Sequence, residues 1–365
     1  MNRIIQEGSL TPAKSLWYSQ PSCFRTMGTL MEDAAKSYWV GFSLVPGNGA
    51  ARLQALLGAF GDIEAAWRAA RAQLARFGLP GPALEALLAA RHRLDLDAEL
   101  RRIEAAGYSV ITWVQEDYPE RLLEIPSPPP VLCCWGEMRP QDALAVAIVG
   151  PRRATPYDRP VAGDVAGCLA GCGVTVVSGL ARGIDGWAHR AALAAGGRSM
   201  AVLGPGADHI YPPEHSGLAR QIAENGAVIT DYPLGTCPEA VNLPLRNRII
   251  SSLSLAAVIV AADNSSGASI TANFAADQGR EVFAVPGNIN SAASRGTNRL
   301  IRSGATPLPK PEDVLRALYL DPLFGTMEAE ATLPKDEQEQ KVYLGLSKAP
   351  LHIDEVQRRC GLSAG

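Results

Sequence analysis

The chain has 365 residues, 47% of them hydrophobic, too many for one ordinary core, so two or three domains are expected. A net charge of -3 excludes a global basic field, and any contact with nucleic acid must rest on local positive charge. The seven cysteines are odd in number and scattered, which excludes a secreted disulfide framework and favours a reducing compartment, the cytoplasm.

Residues 1–36 mix Pro, Ser, Gln and isolated aromatics with little periodicity, carry no signal-peptide core, and are expected to be poorly ordered. Met27 and Met31 stand just before recognisable structure and are alternative translation starts. No stretch of the chain is apolar and long enough to span a bilayer. From Trp39 to Gly107 the apolar spacing is helical, as in Leu53, Leu56, Leu57 and Phe60, so residues 37–107 are expected to form a small all-α domain with Asp62 and Asp95 as N-caps. The turn Val45-Pro-Gly-Asn-Gly49 reads either as a helix-hairpin-helix turn, whose amides hold a DNA phosphate, or as a plain helix-packing turn.

Tyr108 to Trp113 reads as a strand, and Tyr118 to Gly136 as a stiff, Pro-rich join. Short β-branched runs then alternate with helical stretches, which implies a Rossmann-like, doubly wound, mainly parallel sheet within residues 108–320. The runs Ala145–Val149, Val174–Val177, Met200–Leu203, Ala257–Val260 and Val282–Val285 each end in a turn rich in Gly, Ser, Asn or Arg. In such sheets these turns share one edge, where helix N-termini and arginines suit a phosphate-rich ligand. Positive charge is local in the sequence: Arg246, Arg248, Arg280, Arg295, Arg299 and Arg302 are opposed between 241 and 304 only by Asp263, Asp277 and Glu281.

The turn Gly150-Pro-Arg152-Arg153 lacks the dinucleotide G-x-G-x-x-G pattern and instead offers a planar guanidinium. Ser178-Gly-Leu-Ala-Arg182-Gly-Ile-Asp185 carries glycines at 179 and 183 suited to positive φ or close ligand approach. Asp185 is expected to cap a helix beginning at Gly186; with His189 it reads either as an acid/base pair or as a cap beside a buried, hydrogen-bonded histidine. Arg246, Asn247 and Arg248 fall near a helix start, where cations oppose the macrodipole unless an anion, or a salt bridge to Asp231 or Glu239, offsets them. Ser265 to Thr271 supplies hydroxyls and free amides at the next helix start, without the Lys of a Walker A loop. Cys168 and Cys172 could share a helix face, but nothing nearby completes a metal site, and no catalytic triad or carboxylate pair stands out.

Beyond the sheet, 321–339 reads as an acidic linker, and 340–365 as the first half of a helix-turn-helix, a partial winged helix or a simple helical hairpin.

Gly150-x-Arg152, Ser178-Gly-Leu-Ala-x-Gly-Ile-Asp185, Ala188-His189, Val202-Leu-Gly204, Tyr211-Pro212, Arg246-Asn-Arg-Ile-Ile250, Ser266-Gly267, Thr271-Ala272, Val282-Phe-Ala-Val-Pro-Gly287 and Gly296-Thr-Asn298 together resemble the bacterial DNA-processing DprA (Smf) family. The resemblance implies a sterile-alpha-motif-like N-terminal module, an extended Rossmann-like core and a winged-helix tail. It further implies single-stranded DNA as ligand, a homodimer, delivery of DNA to the recombinase RecA in natural transformation, and neither catalysis nor cofactor. By motif match, Arg152, Arg246, Arg248, Ser266, Gly267 and Thr271 would line the DNA pocket, joined by Ser178, Gly179, Arg182, Gly183, Gly204, Asn247, Gly287 and Asn298. The chain departs from the family pattern at Pro151 for Ser, Thr230-Asp231 for Ser-Glu and Ala262-Asp263 for Glu-Ala, so the ion pairs of the pocket do not carry over. Two other readings compete: a phosphoribohydrolase-like nucleotide enzyme using the same cleft, and a scaffold whose helical domains do the work.

Overall fold

The computed structural model describes residues 29–263 and 266–320, with side chains from 35 onward. The proposed translation starts Met27 and Met31, the acidic linker and the tail's helix-turn-helix lie outside the residues or side chains described. The chain divides into two units, Met1–Pro311 and Glu312–Gly365. The described part of the second unit is a short helix, Glu312–Ala317, with an Arg316–Asp313 ion pair at 3.1 Å.

Six helices open the first unit: α1 (Thr29–Ser43), α2 (Ala50–Phe60), α3 (Ile63–Arg68), α4 (Arg71–Arg76), α5 (Gly81–Arg93) and α6 (Leu96–Ala105). Helix α1 therefore starts inside the stretch expected to lack structure. The Asp62 carboxylate accepts from Ala65 N–H at 2.6 Å and that of Asp95 from Ala98 N–H at 3.0 Å, so both aspartates are the caps their positions predicted. In the turn before α2 the Arg52 guanidinium donates to the carbonyl of Gly47, and Asn48 Nδ2 donates to that of Phe42 at 3.3 Å. Edge-to-face pairs, Phe42 with Trp67 at 5.0 Å and Trp39 with Trp113 at 5.8 Å, fasten these helices to each other and to the strand segment that follows. The helices share one hydrophobic cluster with the sheet, and the two form one compact unit.

The sheet comprises β1 (Ser109–Thr112), β2 (Val131–Gly136), β3 (Ala145–Val149), β4 (Thr175–Ser178), β5 (Ser199–Val202), β6 (Gly226–Thr230), β7 (Ala256–Ile259), β8 (Glu281–Ala284) and β9 (Thr306–Pro307). Their order is β1-β2-β6-β5-β4-β3-β7-β8-β9; β1 and β2 run antiparallel, and every pair from β6 to β9 is parallel. The join expected to be extended throughout instead holds a short helix, α7 (Glu120–Leu123), and the strand β2, with Tyr118 Oη donating to Pro129 O at 2.7 Å to brace the bend between them.

Between the strands run α8 (Asp158–Gly171), α9 (Ile184–Ala194), α10 (Ser216–Glu224), α11 (Asn242–Ser252), α12 (Gly267–Asp277) and α13 (Ala292–Arg302). Period-two alternation divides the core between the faces. Ala145, Ala147 and Val149 of β3 and Met200 and Val202 of β5 join Ile249, Ile250, Ala268 and Ala272 of α11 and α12. Ala201 and Leu203 point the other way, to Leu218, Ala219 and Ile222 of α10. With both faces covered, near-continuous apolar strands are required, and each fully buried Leu, Ile or Val stabilises the fold by about 1.5–3 kcal/mol. Strand β3 has β4 on one side and β7 on the other, so the crossovers change direction there, and the region past the C-terminal ends of β3 and β7 is where sheets of this kind bind their ligands.

Candidate nucleic-acid interface

The turns after β3, β4, β5, β7 and β8 meet at this edge, and their residues fall into a buried layer that builds it and an exposed layer that faces solvent. Ser178 belongs to the first: its hydroxyl donates to Ile148 O at 2.6 Å and ties β4 to β3. Gly179 N–H and Ala181 N–H both donate to Asp185 Oδ2, at 3.1 and 3.3 Å, which folds the turn back on itself and places Leu180 at φ 56°. Gly183 sits at φ 78°, and a Cβ there would lie 2.2 Å from Pro151 O, so only glycine lets the turn approach the Gly150–Arg153 loop.

Helix α9 starts at Ile184, two residues before the expected Gly186; Asp185 is inside its first turn and holds the preceding turn's amides. His189 has a different partner, Ser199 Oγ at 2.7 Å. That hydroxyl gives its proton to Val176 O at 3.0 Å, so Nδ1 of His189 is the donor and Nε2 is left as a buried acceptor. Burial, with His215, Arg190 and Arg246 nearby, pushes the imidazole down to about 3 and keeps it neutral. Aspartate and histidine thus serve separate structural partners, the second of the two readings.

Arg246, in the second turn of α11, is only 4% exposed. Its Nη1 donates to Gly179 O at 2.8 Å and to Val202 O, and its Nε to Asn247 Oδ1 at 3.1 Å. Burial lowers its pKa to about 10, with Asp185 opposing that shift and Arg152 adding to it. Asp185 is itself raised by burial and held back chiefly by Arg246, so the two form a buried pair of charges beneath the turn. Asn247 Nδ2 reaches Gly267 O at 3.3 Å, and Thr271 Oγ1 donates to the same carbonyl at 3.3 Å, linking α11 to the start of α12. Arg248 turns to Asp231 at the end of β6, Nη2 to Oδ2 2.7 Å, with side-chain exposures of 22% and 12%. The salt bridge therefore offsets this cation, as one of the sequence readings allowed.

Gly204 leaves room for Leu243, whose Cδ2 would be 2.6 Å from an added Cβ. Gly287 is clasped by Asn298: Nδ2 donates to Gly287 O at 3.0 Å and Gly287 N–H donates to Oδ1 at 3.3 Å. Ser266 caps α12, accepting from Ser269 N–H at 3.4 Å, and Gly267 stands exposed beside it.

The solvent-facing layer is cationic. Arg152 and Arg153 are exposed past β3, and Arg182 is exposed while pairing with Glu214 at 2.5 and 3.0 Å and lying 5.9 Å over the Tyr211 ring. On α13, Arg295 is also exposed in the first turn, whereas Arg299 and Arg302 are exposed further along the helix. The structure thus brings Arg152, Ser178, Gly179, Gly183, Gly204, Arg246, Asn247, Gly267 and Thr271 into one connected edge, and sends Arg248 to Asp231. Sequence reading passed over two exposed aromatics on the α8 and α9 starts, Tyr157 at 61% and Trp187 at 42%, the latter under the Arg159 guanidinium at 6.0 Å. Their signal was a large ring just outside, or in the first turn of, an amphipathic helix. Among the described residues no cluster of His, Cys, Asp and Glu could hold a metal ion, and no helix is long and apolar enough to cross a membrane.

The arrangement offers amides, a capped helix start and exposed guanidinium groups over a rigid, buried cation, a set suited to binding anionic oxygens. The family model for DNA recombination-mediator protein A matches residues 109–319, and that for the DprA winged helix domain matches 327–365, beginning inside the stretch read as linker. Protein Smf of Synechocystis sp. is 36% identical over 313 residues, 84% of this chain and 79% of its own. The X-ray structure of DNA processing protein A (DprA) from Streptococcus pneumoniae superposes with TM-score 0.67 at 29% identity, covering 77% of this chain and 97% of that one. A structure of DNA processing protein A from Helicobacter pylori, described by its single-stranded DNA binding mode, gives TM-score 0.53 at 30% identity over 59% of this chain and 98% of that one. Fold, motif order and extent of match agree: the chain belongs to the DNA recombination-mediator protein A family, the DprA/Smf proteins.

Proposed function

We propose that this protein binds single-stranded DNA along the C-terminal edge of its sheet, protects it, and passes it to a RecA-type recombinase during natural transformation, acting as a cytoplasmic homodimer. The observation that carries the reading is the exposed Arg152–Arg153 turn, fixed by Gly183 and backed by the buried Arg246, in a chain of this family. Arg152 and Arg182, with the amides of Ser266 and Gly267, would meet the phosphates. Ser178, Gly204, Arg246, Asn247, Thr271, Gly287 and Asn298 would hold those groups in place. The relative from Helicobacter pylori, described by its single-stranded DNA binding, supports the choice of ligand.

The test is fluorescence anisotropy of a labelled oligonucleotide, single-stranded against its duplex, at two salt concentrations. A salt-sensitive preference for the single strand is expected, each phosphate contact adding about -0.7 to the log-log slope. Arg152→Ala should weaken binding and flatten the slope in a folded protein. Arg248 is unsuited to this test, because removing it strands the Asp231 carboxylate in the interior. Absence of binding to either form would overturn the proposal and return the cleft to small nucleotides.

A further inference from the structure

Two of the loops that build the proposed DNA edge continue past it and flank a groove. The loop after β3 carries Arg152 near its beginning and Tyr157 at its end, where α8 starts; the loop after β8 carries Pro286 beside Gly287. Between them lies a groove of about 300 Å³, lined on the α8 side by Tyr157, Val161, Asp164 and Val165 and on the other by Val285, Pro286 and Leu308 to Pro311. This volume is at the lower end of small-molecule clefts.

The floor is apolar and buried, formed by Val165, Val285 and Leu308, and offers no side-chain group that could read the edge of a base. The rims are flat: an aromatic ring 61% exposed on one side, and the rings of Pro286, Pro309 and Pro311 on the other. Lys310, exposed among those prolines, brings a cation to the groove, whereas Asp164 lies seven residues beyond Tyr157 along α8, about 10 Å up the helix. A slot with stacking surfaces, an apolar floor, a cation at the proline rim and its one carboxylate set apart along α8 matches a nucleobase with its phosphate beside Lys310, and no particular base.

We propose that this groove is a nucleotide subsite through which the bound strand leaves the sheet edge, one base stacking on Tyr157 between the proline rims while its phosphate faces Lys310. The inference rests on the single-stranded DNA reading above and extends it from phosphate contact to base stacking.

The experiment compares full-length wild type, Tyr157→Ala, Tyr157→Phe and Arg152→Ala on two probes, a fluorescein-labelled thymidylate oligomer and an abasic strand of equal length. Tyr157→Ala should bind the thymidylate strand about tenfold more weakly, Tyr157→Phe like wild type, and both like wild type on the abasic strand, since one base stack is lost and no phosphate contact. Undiminished binding of thymidylate by Tyr157→Ala would overturn the subsite, and if Arg152→Ala still weakens binding the DNA reading survives it. Equal weakening on both probes would also overturn the subsite, making Tyr157 a residue that shapes the edge. Failure of wild type to bind either probe would sink both proposals.

Discussion

Arg246 and Arg152 are close enough to repel, yet their surroundings give them opposite tasks. Arg246 has left water, and its donors are consumed by the carbonyls of Gly179 and Val202 and by Asn247, with Asp185 as its counter-charge. Removing it would take a donor from two buried carbonyls and leave the buried Asp185 carboxylate without its counter-charge. Arg246→Met is therefore expected to cost about 3–5 kcal/mol of stability, measured by urea denaturation. Arg152 is exposed, so Arg152→Ala should leave stability within about 0.5 kcal/mol of wild type while lowering single-strand affinity. Comparable destabilisation by both substitutions would contradict the division into a buried and an exposed layer.

At the scale of elements, the start of α9 is fixed by how closely two turns approach. Gly183 combines φ 78° with an added Cβ that would strike the backbone of Pro151 and Arg152, whereas Gly267 at the start of α12 has open space around it. Gly183→Ala is expected to lose about 2 kcal/mol or more, from strain and collision together, and to weaken DNA binding because the Arg152 turn must move. Gly267→Ala should be tolerated within about 0.5 kcal/mol. Chemical denaturation of the two variants side by side checks this, and a harmless Gly183→Ala would mean that the turn adapts. Both glycines lie in the matched motifs, so their motif membership alone does not separate them.

Across the whole molecule, buried titratable groups set how stability responds to acid. His189 is depressed to about 3, while an unfolded imidazole takes up its proton near 6.5. Between those values the unfolded state binds the extra proton, so the stability due to neutral His189 is complete above about 6.5. It is lost as pH falls, at up to about 1.4 kcal/mol per unit. Asp185 and Asp231, both raised by burial, act in the opposite direction, because the unfolded carboxylates release their protons first. A difference measurement isolates the histidine: wild type should lose stability relative to His189→Gln as pH falls from 6.5 toward 4, with a constant offset above. Parallel melting profiles down to pH 4 would show that His189 takes up its proton in the folded protein.

The sequence by itself determined the fold class and most of the elements. Short apolar runs ending in glycine turns, and helices capped by Asp62 and Asp95, depend on residues a few positions apart, and the parallel sheet follows from them, while the order and spacing of the motifs carry the family. Strand β2 was hidden because its short run follows immediately on the prolines of the Tyr118–Gly136 join, and its strand character comes from being paired between β1 and β6. Only the tertiary structure decided what each charged residue of the motifs does. Arg246, Asn247 and Arg248 are consecutive, but a helix turns about 100° per residue, which sends the first to a carbonyl 67 residues away and the last to Asp231. Local patterning records which residues share an element; whether a guanidinium meets solvent or a buried carboxylate depends on what distant chain segments pack against it, and that becomes defined only when the sheet closes.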